Sequence, residues 1–258
     1  SLYTLVRRRR KWLVVPAMIG GAALLSEGII TPPISVTSAV EGLTQLPALA
    51  HITEMQIVYI VLCIIAVLFF MQQFGTASIG KMFGPIMMVW FVMLAVLGIY
   101  NMVDDLSVIK AFNPIYGIKL LTMYPKGFWI LGAIFLCTTG AEALYSDMGH
   151  CGKNNIRASW IVVKVCLILN YLGQGAYLLG QEGKLFANAQ LLKNPEFLEQ
   201  FPQAELLRNP FFATMPDGFL IFGIIIATAA AIIASQALIS GSFTLISEAM
   251  RLNLWPKF

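Results

Sequence analysis

Two carboxylates sit where carboxylates are costly. Glu27 stands inside the apolar stretch 24–33, Leu-Leu-Ser-Glu-Gly-Ile-Ile-Thr-Pro-Pro, and Glu142 inside the run that begins at Phe128. Counted from Pro16 at about 1.5 Å per helical residue, Glu27 lies roughly 16 Å along a span that needs about 30 Å to cross lipid. An acid near the bilayer middle costs about 2.5–3.5 kcal/mol, so such residues face a bundle interior, a partner or an ion path. Thr31, one turn on, shares the face of Glu27, and Gly20 and Ala23 leave room behind it. Pro32 and Pro33 remove two backbone donors and free carbonyl oxygens one turn earlier. Carboxylate, hydroxyl and freed carbonyl are hard oxygen ligands for a cation. A structural reading of the same residues is an acid paired with a polar group on a neighbouring helix, followed by a proline pair that ends the span.

The second acid has similar company. Thr138, Glu142 and Tyr145 stand at i, i+4 and i+7, with Thr139 beside them, so one face presents hydroxyls and a carboxylate. Small residues around Gly140 allow the helix to unwind there, as transporter helices do where irregular backbone lines a cavity. Asp147 and His150 differ, because they sit beside Lys153 at the cytoplasmic mouth; a hydrated salt bridge or gate fits them better than a proton relay. Gln236, Ser240, Thr244 and Ser247 follow a small-residue run along one stripe, which reads equally as the lining of an aqueous path or as a close-packing seam. Asn170 and Gln174 share a face and serve either to join helices or to touch a solute.

These residues need membrane helices to position them. The chain of 258 residues is 58% hydrophobic and 12% charged, with a mean hydropathy of +0.78, which excludes an ordinary soluble domain and describes an all-α polytopic membrane protein. A net charge of +4 is then no argument for nucleic acid. Cys63, Cys137, Cys151 and Cys166 stand singly, with no disulfide frame, metal site or cofactor motif. Apolar runs predict about six spans, at 12–36, 55–71, 83–100, 128–144, 156–179 and 219–246. Arg7 to Arg10 with Lys11, Lys81, Lys153 with Arg157, and Arg251 with Lys257 fall in alternate connections, which makes these cytoplasmic. The polar, proline-punctuated segment 181–217 is an external loop with room for short interfacial helices, and 74–85 reads as a plain cytoplasmic turn. Residues 1–6 resemble the end of a truncated helix, without an initiator Met or a cleavable signal.

Several longer motifs occur together and in order: Glu27-Gly28-Ile29-Ile30-Thr31-Pro32 with Ser38-Ala39-Val40-Glu41-Gly42-Leu43, Phe74-Gly75-Thr76 with Pro85-Ile86-Met87, Glu142-Ala143-Leu144-Tyr145 with Asp147-Met148-Gly149-His150, Leu169-Asn170-Tyr171 with Gly173-Gln174-Gly175, and Ile233-Ala234-Ser235-Gln236-Ala237. In these the chain resembles the KUP/HAK/KT potassium uptake permeases along nearly its whole length. The resemblance implies a partial inverted-repeat transporter fold of the amino-acid, polyamine and organocation type, with the six spans as the third to eighth helices and the first helices and C-terminal region missing. Such a piece is not expected to transport alone. Ser26 and Pro33 depart from the family's usual Gly and Ala, which alters how the helix of Glu27 bends.

By the same resemblance the function is potassium uptake across the plasma membrane, the bacterial inner membrane, by symport with protons. Glu27 and Thr31 become potassium ligands and Glu142 the proton carrier, with Thr138, Thr139 and Tyr145 lining the site; the reverse assignment of the two acids stays open. Gln236 and Ser240 line the path, and Asp147 and His150 its cytoplasmic mouth. Potassium ions, protons and the lipid bilayer are the partners; no cofactor or nucleic acid is expected, and a homodimer is left open. The rivals are channel-like uptake without protons, a membrane-embedded enzyme using the two acids as acid and base, and a scaffold. No nucleophile, metal cluster or lipid-phosphate motif accompanies the acids, so the chain is not read as an enzyme.

Overall fold

In the structure, a computed structural model, residues 11–46, 49, 52–72, 80–124, 126–136, 153–187, 195–203, 205–206, 209–254 and 256 are described. Nearly all of them are helical. After a 3-10 turn at Lys11–Leu13, α1 runs over Val14–Val40, α2 over Glu54–Gln72 and α3 over Gly80–Met102. Shorter α4 (Pro114–Met123) and α5 (Gly127–Leu136) precede α6 (Lys153–Leu179). A long last helix, α9 (Asp217–Arg251), ends the series. Among the described residues four helices, α1, α3, α6 and α9, are long and apolar enough to cross a membrane, and α2 is a shorter apolar helix. The chain is an all-α polytopic membrane protein. Of the run expected as a span at 128–144, the part beyond Leu136 lies outside the described residues.

The proline pair does not end α1. The helix continues through Pro32 and Pro33 to Val40 and closes with a 3-10 turn at Glu41–Gln45. Proline is compatible with helical φ; its cost is the lost donor and the crowding of the preceding turn. Tertiary packing offsets that cost here, because Pro32, Val36 and Val40 are almost wholly buried. Val36 and Val40 join Ile57 and Val61 of α2 in one apolar cluster, so the stretch just after the prolines is held from the side.

Helix association in lipid relies on close packing rather than on the hydrophobic effect, and glycine permits the closest approach. The α3–α6 contact rests on this: a Cβ added at Gly173 would lie 2.6 Å from the Cα and carbonyl oxygen of Gly98, and one added at Gly98 would strike the backbone of Leu169. The two backbones touch.

The segment read as an external loop is partly structured. It holds a two-residue parallel strand pair, β1 (Phe186–Ala187) with β2 (Glu205–Leu206), joined through α7 (Pro195–Gln200) and followed by α8 (Pro210–Ala213). Phe212 and Met215, in and just after α8, pack with Met93 and Leu97 of α3 and Leu220 and Ile224 of α9. Asn101 fixes this plug, its Nδ2 donating to the carbonyls of Leu97 at 2.8 Å and Thr214 at 3.1 Å. On the connection after α3, the Asp105 carboxylate accepts from the Ser107 amide at 2.8 Å and caps the 3-10 turn Leu106–Phe112. Hydrogen bonds from Ser107, with a smaller contribution from the charge of Lys110, hold the Asp105 carboxyl below the usual carboxylate range.

Candidate ion site

α1 presents Glu27 to the bundle at the level where it crosses α9. Gly28, next in sequence, is buried, and a Cβ there would collide with Ser242 and lie 3.6 Å from the Leu238 carbonyl. One turn outward, the Ser235 hydroxyl donates to the Pro32 carbonyl at 3.5 Å. The antiparallel pair is therefore in close contact from Gly28 to Pro32. Glu27 itself is half-buried, and its Oε1 is wholly shielded. Pro32 and Pro33 offer no N–H to the carbonyls of Gly28 and Ile29, which leaves two carbonyl oxygens of α1 without their helical donors in the turn after Glu27.

The face of Glu27 and Thr31 continues outward. Ser35 and Ser38 stand at i+8 and i+11 from Glu27, within about 80° of it around a helix of 3.6 residues per turn. Both line a cavity of 460 Å³ between α1, α3 and α9, whose α9 wall is built of Ala227, Ala230, Ala231 and Ala234 and whose other walls include Trp90 and Phe212. A carboxylate, a threonine hydroxyl and two serine hydroxyls thus follow one another along one face of α1, the two serines on the wall of an open, mostly apolar chamber. The two serines were not singled out as site residues in the sequence; extending the helical face from Thr31 by four and then three residues reaches them.

The stripe on α9 divides. The Gln236 side-chain amide nitrogen donates to the Gln72 Oε1 of α2, and the Ser240 hydroxyl donates to the same oxygen at 3.1 Å. The Thr244 hydroxyl turns back to the Ser240 carbonyl at 2.9 Å. Gln236 and Ser240 are therefore engaged in an α2–α9 seam, while Gln236 Oε1 is buried with no hydrogen-bond partner among the described residues. Gln72 was missed because it closes an apolar run, where a polar residue reads as the end of a span. Asn170 is buried on α6 and Gln174 half-buried. Thr138, Thr139, Glu142 and Tyr145, with Asp147 and His150 of the expected cytoplasmic mouth, lie outside the described residues.

Comparison with known proteins gives this arrangement a context. The model of a family described as "K+ potassium transporter integral membrane domain" matches residues 1–258. A probable potassium transport system protein Kup of Flavobacterium psychrophilum is 55% identical over 258 residues, covering 100% of this chain and 36% of that protein. Proteins of the same name from Cytophaga hutchinsonii and Clostridium perfringens are 56% identical over 262 residues and 52% over 264, each covering 100% of this chain and 36% and 37% of their own lengths. The chain spans little more than a third of the length of these curated relatives. No solved structure matches it.

Proposed function

The chain belongs to the K+ potassium transporter family, a family named for transport and not for an enzymatic reaction, and on that premise we propose that it forms part of a protein that imports potassium across the plasma membrane together with protons. The observation that carries this reading is the line on α1 from the shielded Glu27 carboxylate through Thr31 and Ser35 to Ser38, ending in a 460 Å³ cavity. Potassium is large and weakly hydrated, so several neutral oxygens and one carboxylate suit it better than the compact, highly charged cages of divalent ions. Glu27 and Thr31 act as its ligands, with the carbonyls freed by the prolines beside them.

Glu142 is the proton carrier, with Thr138, Thr139 and Tyr145 completing the site. Desolvation favours a protonated carboxyl, whereas a nearby cation favours the ionised form, so proton and potassium occupancy become linked. Two interacting acids titrate as a pair, and the coupling does not require that one residue own the proton throughout.

The test is rubidium uptake at two external pH values by the full-length protein in bacteria deficient in potassium import, with Glu27→Gln and Glu142→Gln beside it. The expected outcome is acid-stimulated uptake that falls at least about tenfold in either variant, equivalent to about 1.4 kcal/mol of lost stabilisation. Uptake indifferent to pH but lost in both variants would replace symport by a channel-like path. Uptake intact in both variants at normal expression would remove the two acids from the site.

A further inference from the structure

α6 carries Arg157, Trp160 and Lys164 at i, i+3 and i+7, which places them on one face. All three are exposed, and Ile161 and Ile168 on the same face are exposed as well. The Lys164 ammonium lies 5.6 Å from the centre of the Trp160 ring. At about 1.5 Å per residue, Lys164 sits roughly 16 Å along the axis from the Lys153 end, well inside a hydrocarbon core of about 30 Å. A lysine at that depth is costly unless it reaches the interface or finds an anion.

The helix direction favours the interface. Side chains of an α-helix lean towards its N-terminus, and the N-terminal end of α6 carries Lys153 and Arg157, the cytoplasmic end by the distribution of basic residues. Lys164 accordingly extends back across Trp160 towards Arg157. Among the described residues neither Lys164 nor Arg157 has an ion-pair partner. Two cations therefore share one exposed strip of α6, with an indole between them and exposed isoleucines beside and beyond.

We propose that this strip is a binding site for an anionic phospholipid of the inner leaflet. The lipid phosphate bridges Arg157 and Lys164 through charge-assisted hydrogen bonds. Trp160 sits at headgroup level, as indoles do at membrane interfaces, and an acyl chain runs along Ile161 and Ile168. The negative surface potential of the cytoplasmic leaflet concentrates such lipids where the two cations wait. The site is independent of the ion path on α1 and does not rest on the transport reading.

The test places the full-length protein in nanodiscs of phosphatidylglycerol or phosphatidylcholine and reads retained phosphatidylglycerol by native mass spectrometry and Tm by thermal unfolding. Lys164→Gln and Arg157→Gln should each lower retention about fivefold, the factor expected for one basic residue at an anionic surface. They should also abolish the Tm advantage of phosphatidylglycerol. Lys164→Arg should preserve both, and Lys119→Gln, on the opposite side of the membrane, should change neither. Retention unchanged in Lys164→Gln and Arg157→Gln would overturn the proposal. So would an equal fall of Tm in both lipids, which would identify a protein carboxylate as the partner. Should either glutamine variant fold poorly, retention by Lys164→Arg still decides: loss there at normal Tm also overturns it.

Discussion

At the scale of single residues, the two side-chain amides between α2 and α9 illustrate how a polar group inside a membrane bundle is spent. Gln72 Oε1 accepts from both Gln236 and Ser240, so removing Gln72 strands the buried Gln236 amide at a cost of about 1–3 kcal/mol, whereas removing Gln236 leaves Gln72 the Ser240 donor and costs less. Gln236→Leu and Gln72→Leu should each lower Tm, and the double variant should lower it by less than the sum, a non-additivity that a double-mutant cycle on unfolding reads directly. The Asp105 cap has a pH signature. Its pKa is depressed in the folded protein by the Ser107 hydrogen bonds, so its contribution is present above the unfolded carboxylate value of about 3.9 and is lost as pH falls through the lower folded value. Hydrogen exchange at the Ser107 amide should accelerate over that acidic window, and Asp105→Asn should remove the pH dependence. Glu27 was legible in the sequence because an acid in an apolar run announces its own cost. Gln72 was not, because nothing about a glutamine at the end of a run shows which helix it will meet.

At the scale of elements, glycine and proline govern how closely and how straight the helices run. The wall-to-wall contact of Gly98 with Gly173 leaves no space for a side chain; Gly98→Val should overpack the α3–α6 contact by about 1–3 kcal/mol, seen as a lower Tm with Gly117→Val, where nothing crowds the position, as the control for space. Pro32→Ala would return a donor to the Gly28 carbonyl, so rubidium uptake by the full-length protein should fall at normal expression; unchanged uptake would show that this carbonyl does not serve the ion. The presence of α1, α2, α3, α6 and α9 could be read from apolar length alone. The span expected at 12–36 already runs through the prolines; its extension to Val40 could not be read, since it depends on the packing of Val36 and Val40 against Ile57 and Val61, far away in the chain. The plug formed by Phe212 and Met215 was equally hidden, because a Pro-rich polar segment gives no sign that its aromatic residues turn inwards.

At the scale of the whole molecule, coupling is a statement about limits of accumulation. A membrane potential of about 100 mV is worth about 2.3 kcal/mol per charge, which caps a potassium channel near fiftyfold. With one proton per potassium ion, each unit by which the outside is more acidic should raise the attainable rubidium ratio about tenfold; at fixed potential a channel would leave the ratio flat. Accumulation in proteoliposomes of the full-length protein with clamped potential decides between them. The length of α9 adds a mechanical consequence. Its 35 residues extend about 52 Å, well beyond the roughly 30 Å of a hydrocarbon core, and it touches α1 at the candidate ion site, α2 at the amide seam and the Phe212–Met215 plug through Leu220 and Ile224. Geometry gives it the proportions of a lever pivoted near the middle: a tilt of about 10° about the Ser235 level would carry each end through about 4–5 Å, so a small rearrangement at the candidate site would become a stroke legible on both faces of the membrane.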